Sequence, residues 1–201
     1  YGARDKSKVA VLIENKPESL LKKDFKDRLV YELYSSGRDI KRVIDDALRL
    51  DHDYIIVQEV RGQEAEGAIS GTERGRSGLL MSYHLTNPEN TPRQLAQHIV
   101  DENPNRNQSR EIRRVLEALD IGIIMESEGG IKKVTSIYEM GLDGNGKGFV
   151  NYLIKYDDAT QTWKYNSQIS DEFRKRIYKQ NPELADQFIK HLKYRESINS
   201  I

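Results

Sequence analysis

The chain has 201 residues, 32 acidic and 32 basic side chains and a formal net charge of zero, with 37% hydrophobic and 32% charged residues. This balance gives no global electrostatic pull toward nucleic acid or an anionic membrane, and the length suits one sizeable domain or a domain with an appendage. The sequence contains no cysteine, which excludes disulfides, thiol nucleophiles and thiolate metal sites and agrees with a reducing compartment.

No apolar run reaches membrane-spanning length; the longest, IGIIM at 121–125, suffices only for a buried strand. The first eight residues, YGARDKSK, are not followed by an apolar h-region, so no signal peptide is expected. The chain begins on Tyr1 rather than methionine and reads as a piece of a longer protein.

In chain order, KVAVLIEN (8–15) predicts a buried strand ending in Glu14. A charged stretch of mixed periodicity follows, closed by Gly37. Ile40, Val43, Ile44, Ala47 and Leu48 then recur at helical spacing, which predicts an amphipathic helix over roughly 38–50. DYIIVQE is a second strand, GQEAEGAISGTERG a short helix ending in glycine-rich turns, and LLMSYH (79–84) a third strand. Strands alternating with helices predict a parallel sheet with crossovers. TPRQLAQHIVDE has a Thr-Pro helix start, and Ile112, Val115, Leu116 and Leu119 mark another helix. Its segment REIRR (110–114) reads as an exposed helix face rather than a phosphate contact.

From residue 121 the pattern changes to IGIIMES, IKKVTSIYEM and FVNYLIKYD, separated by Gly-rich turns, which predicts antiparallel hairpins at an edge. DGNGKG at 143–148 reads as a hairpin turn, because it lacks the carboxylates of a calcium loop. Two helices should close the chain, one with Ser170 as N-cap and one with Pro182 in its first turn. The expected organisation is an α/β core over 1–160 and a helical appendage over 161–201.

Three predicted strands end in polar residues, Glu14, Glu59 and His84. In an open α/β sheet, ligands sit outside the carboxyl ends of the strands. A carboxylate there can hold a water for attack on a phosphate, or a magnesium-bound water. The plainer alternative is that each strand simply finishes in a solvated charge.

The segment from Asp39 to His84 resembles the central part of the secretion traffic ATPases, the motors of type II and type IV secretion, conjugation and tight-adherence pili. Leu48 and Arg49 match the "LR" that ends a helix in that family. Asp53 stands where an Asp opens the variant Walker B strand, and Glu59 and Arg61 match Glu-x-Arg. Glu64 and Ala65 match the helix that follows, Gly75 the glycine of Thr-Gly-His, and His84 the histidine-box residue. VAVLIEN with Glu18 is similar to the acidic "Asp box", with Glu14 in place of its glutamate. The hairpin region is similar to that of the conjugation and tight-adherence branch, so the resemblance covers roughly residues 8–156.

The resemblance implies a partial RecA-like P-loop fold of α/β class with antiparallel edge hairpins and two C-terminal helices. It implies a hexamer that hydrolyses ATP with Mg2+ at the inner face of the cell membrane, in the cytoplasm, beside membrane-embedded secretion or pilus components, with no direct nucleic-acid contact. Glu59, Glu14 and His84 would be catalytic. Arg61 and Gln58 would lie at the nucleotide, and Arg74 and Arg76 would contact a neighbouring subunit.

Three departures stand out: Gln58 replaces the Gly before the glutamate, Arg74-Gly75-Arg76 replaces Thr-Gly-His, and His52 replaces a Pro. The sequence also contains no GxxxxGK[ST], whose amides and lysine hold phosphates. The expectation is that the chain starts just after the P-loop helix, and that alone it binds neither ATP nor a metal tightly. A second reading is a noncatalytic docking module on a degenerate P-loop fold. A third, a DNA translocase, is disfavoured by the lack of a basic stripe.

Overall fold

The computed structural model describes residues 6–36, 39–73, 78–85 and 87–199. It divides into two compact units, one built from residues up to 86 together with 90–118, the other from 87–89 and 119–201.

The first unit holds β1 (Ala10–Glu14), α1 (Leu21–Asp24), β2 (Val30–Tyr34), α2 (Ile40–Ala47), β3 (Tyr54–Val60), α3 (Gln63–Glu73), β4 (Leu79–Tyr83), α4 (Thr91–Glu102) and α5 (Gln108–Ala118). Its four strands are all parallel, in the order β2-β1-β3-β4. Every residue of β1 is buried, which is why its sequence is a continuous apolar run rather than an alternation. Ala10 to Ile13 lie in register with Val30 to Leu33 on one side and with Tyr54 to Val57 on the other.

The sequence reading missed β2, because VYELY is an edge strand in a charged segment. Tyr31 is exposed there, and Glu32 accepts bonds from the Lys22 amide (2.8 Å) and the Tyr34 hydroxyl (2.8 Å). Helix α2 begins as expected, with Asp39 accepting from the Lys41 amide (3.0 Å), and it buries Val43, Ile44 and Ala47. Helix α3 packs on it through Gly67. A Cβ there would meet Ile44 Cγ2 at 2.6 Å and Cδ1 at 2.8 Å, so a hydrogen is all the space admits.

Helix α5 is tied to α3 by ions rather than by apolar contact alone. Arg114 donates to both oxygens of Glu73 (2.6 and 2.8 Å), to Glu66 (3.1 Å) and to Glu111, while Arg106 forks onto Glu66 (2.7 and 3.0 Å). Glu111 is buried. The expected exposed face of REIRR is therefore half right. Arg113 does lie outward with Glu117 (2.9 Å), but Arg114 is turned into the α3 contact because three carboxylates wait there.

The second unit holds β5 (Ile121–Glu128), β6 (Ile131–Leu142), β7 (Gly148–Asp157), β8 (Thr162–Tyr165), α6 (Asp171–Gln180) and α7 (Pro182–Asn199). Its strands form a separate antiparallel sheet in the order β5-β6-β7-β8. This corrects the expectation of hairpins added to an edge of the parallel sheet: strands joined by tight turns pair with each other first. The turn at 143–147 is set by Asp143, whose carboxylate accepts from the Asn145 and Lys147 amides (both 2.9 Å).

Leu153 of β7, Ile169, Phe173 of α6 and Ile189 and Leu192 of α7 form one core. The sheet and the closing helices thus share a hydrophobic interior, and the units divide at 118/119, whereas the sequence placed the division at 160/161. Ser170 caps α6 by accepting from the Phe173 amide (3.1 Å), as the sequence indicated.

The contact at Gly67 generates a prediction. Gly67→Leu overpacks the α2–α3 interface and should destabilise the fold by about 1–3 kcal/mol, read as a lower midpoint in chemical or thermal unfolding.

Candidate active site at the carboxyl rim of the parallel sheet

Parallel strands end on the same side, so β1, β3 and β4 deliver Glu14, Glu59 and His84 to one rim. At the end of β3 the ladder is irregular. Val57 pairs with Met81 and Val60 with Tyr83, so three steps on β3 face two on β4. Glu59 takes up the extra residue in the left-handed region, with φ 58°. The bulge sends the side chains of Gln58 and Glu59 to different neighbours.

Glu59 turns toward β4. Its amide donates to Ser82 Oγ (2.8 Å), and its carboxylate accepts from the Arg61 guanidinium and lies 3.5 Å from His84 Nε2. The hydrogen bond from Arg61 holds the Glu59 carboxyl below the usual carboxylate range. That pull outweighs partial desolvation, which acts the other way, and His84 adds to it. A group so held stays ionised at neutral pH. It is a good hydrogen-bond acceptor, suited to orienting a water. Arg61 is itself anchored, because its amide and that of Gly62 donate to Glu64 Oε2 (3.2 and 3.0 Å) at the start of α3.

Gln58 turns toward β1. Its amide nitrogen donates to Glu18 (2.9 Å), and its carbonyl oxygen lies 2.7 Å from Ser19 Oγ. Glu14 is buried, and its carboxylate faces its own loop. It accepts from Ser19 Oγ (2.5 Å), from the Ser19 amide (2.9 Å) and, at 3.4 Å, from the Glu18 amide. The rim therefore brings Glu59, Arg61 and His84 into contact, while Glu14 and Gln58 belong to a second cluster with Glu18 and Ser19.

Sequence reading missed Ser19 and Ser82, and it placed Glu64 in the helix after the strand without its hold on the Arg61 and Gly62 amides. Only Glu64 left a signal, as an acid in a first helical turn. Arg74, Gly75 and Arg76 lie outside the described residues. Asp53 sits at the opposite end of β3, where it accepts from Lys8 Nζ (2.8 Å) and the Val9 amide (2.9 Å) and clamps β3 to the entry of β1. Among the described residues, no group of three or more His, Asp or Glu side chains is arranged to hold a metal ion. His52 instead packs inside, with its Nδ1 against the Leu50 carbonyl at 2.8 Å.

No protein-family profile and no curated protein matches the chain. Solved structures do. The VirB11 ATPase of the Brucella suis type IV secretion system, crystallised with sulphate, matches with a TM-score of 0.60 at 18% identity, over 67% of this chain and 41% of that one. Over that span the chain has a fold similar to that of a secretion ATPase. The Legionella pneumophila ATPase DotB matches with a TM-score of 0.51 at 12% identity, over 78% of this chain. The chain thus spans 41% and 39% of these two secretion ATPases. The resemblance to the secretion ATPases is met at the level of the fold. No described helix is long and apolar enough to cross a membrane.

Two predictions concern stability at this site. A non-glycine residue in the left-handed region costs about 1–2 kcal/mol, and the ion pairs of Glu59 are solvent-exposed. Glu59→Gly should therefore leave the unfolding midpoint unchanged or raise it, the pattern of a residue retained for chemistry rather than stability. Asp53 is held below the usual carboxylate range by its hydrogen bond from Lys8 and by the Val9 amide. Its contribution is present above the unfolded-state value of about 3.9 and is lost as pH falls through the depressed folded value. Asp53→Asn should thus lower the thermal midpoint at pH 7, with the gap from the parent closing below about pH 4.

Proposed function

We propose that this chain is the catalytic-rim part of an ATPase that powers type IV-like secretion, conjugation or pilus assembly, working with a P-loop supplied by a longer protein. The observation that carries the reading is the contact of Glu59 with Arg61 and His84 at the carboxyl rim of a parallel sheet with the fold of VirB11 and DotB. In this reading the sheet is part of a RecA-like core, and the working form is a homo-hexamer. It acts in the cytoplasm at the inner face of the membrane, against membrane-embedded components and without direct nucleic-acid contact.

The rim suits a nucleotide that brings its own magnesium, because Mg2+ is commonly held by one or two carboxylates together with substrate phosphates. Bound there, the ion would neutralise charge on the phosphates. Glu59 orients the attacking water. His84 senses the state of the γ-phosphate, and Arg61 fixes Glu59 or reaches the phosphates. Glu14 acts from behind the rim, since its oxygens are engaged by its own loop. The second reading, a noncatalytic docking module, is favoured by two observations: both ends of the Gln58 amide engage the acidic loop, and the sequence lacks GxxxxGK[ST].

The two readings part in one experiment. The 201-residue chain alone should show negligible ATP hydrolysis, because most phosphate affinity resides in the P-loop. In a longer form that carries a P-loop, Glu59→Gln should retain ATP binding and lose about 100- to 10,000-fold in turnover. Steady-state hydrolysis with a parallel ATP-binding assay checks this. Turnover by Glu59→Gln at the parent rate would hand the lead to the docking reading.

A further inference from the structure

The bonds between the loop after β1 and the end of β3 form a closed set. Glu14 Oε1 accepts from Ser19 Oγ, Ser19 Oγ faces Gln58 Oε1, and Gln58 Nε2 donates to Glu18. The Ser19 and Glu18 amides return to Glu14. Every link joins residues 14–19 either to one another or to residue 58, across the β1–β3 seam.

We propose that Gln58 and Ser19 are positioning residues: they latch the acidic loop onto the bulged end of β3, and so set Glu14 and Glu18 relative to Glu59. Three observations carry this. The bulge frees Gln58 to reach the β1 side while Glu59 faces β4, so one irregularity positions both clusters. A glycine at position 58 has no side chain with which to make these bonds. The Ser19 hydroxyl has a single proton and two acceptors within 2.7 Å, so it serves the carboxylate and the amide in turn. The loop needs this hold, because Glu14 is buried and, among the described residues, its carboxylate accepts from Ser19 and Glu18 of its own loop.

The latch itself is read from geometry. Its effect on turnover rests on the function proposed above, so the test has two arms. In the first, amide hydrogen exchange is measured on the 201-residue chain for the parent, Ser19→Ala, Ser19→Thr and Gln58→Gly. The Glu18 and Ser19 amides should exchange about tenfold faster or more in Ser19→Ala and Gln58→Gly, in line with the loss of a bond to a charged group. Ser19→Thr, which keeps the hydroxyl, should restore the parent rate, and the amides of Val11 to Ile13 should be unaffected. Unchanged rates at 18 and 19 overturn the latch. So does an equal loss of protection across β1, which would mark Ser19 and Gln58 as general stabilisers.

In the second arm, a P-loop-bearing form of the protein carrying Ser19→Ala should lose about tenfold or more in kcat at unchanged KM, as misplacement of a catalytic group predicts, with Ser19→Thr again restoring it. A parent-like kcat in Ser19→Ala overturns the positioning role. If the P-loop-bearing parent hydrolyses no ATP, the proposed function fails, and the exchange arm alone decides the latch.

Discussion

Burial of β1 on both faces is the constraint from which the rest of the first unit follows. A strand with no exposed residue has no water for its amides and carbonyls, so neighbouring strands must satisfy them. Here β2 and β3 do so, both parallel and both in unbroken register over Ala10 to Ile13. Parallel pairing has a consequence that antiparallel pairing lacks: all carboxyl ends emerge together. Glu14 and the Gln58–Glu59 pair are neighbours because the apolar residues before them pair in that direction. The clamp from Asp53 to Lys8 and Val9 fixes the register at the opposite end.

The helices are held by two different kinds of force. Between α2 and α3 the contact is steric: Gly67 lets the helices approach until Ile44 fills the gap. Between α3 and α5 it is ionic, with Glu66, Glu73 and Glu111 shared between Arg106 and Arg114. Burial works to raise the Glu66 carboxyl, but hydrogen bonds from Arg114, Ser70 and Arg106 prevail and leave it below its ordinary value. Such networks add little net stability over apolar packing, yet breaking one partner leaves a buried charge uncompensated. The network therefore specifies how α5 lies on α3, the helix whose first turn anchors Arg61.

At the rim itself, strain and charge act together. The bulge costs backbone energy at Glu59 and removes a regular ladder step, and what it provides is divergence. Two successive side chains serve two clusters on opposite neighbours, Glu59 with Arg61 and His84, Gln58 with Ser19 and Glu18. A regular strand would have sent them to opposite faces of the sheet instead.

The sequence by itself determined the elements whose signal is local. The apolar runs of β1 and β3, the 3.6-residue period of α2, the Ser170 cap and the Asp143 turn are all read from neighbours in the chain, and all are present. The apolar runs also placed Glu14, Glu59 and His84 at the same end of the sheet, because parallel strands finish together, but not which side chains meet there. Tertiary structure decided what depends on residues distant in sequence. The strand β2 exists because β1 offers it a partner, not because VYELY insists on extended structure. The antiparallel sheet and the closing helices form one unit because Leu153 shares its core with Phe173, Ile189 and Leu192. Arg114 turns inward because carboxylates 41 and 48 residues away meet it there. Glu14 turns away from the rim to Ser19, and Gln58 follows, because a buried carboxylate takes the nearest donors, and which donors are nearest is a property of the folded chain alone.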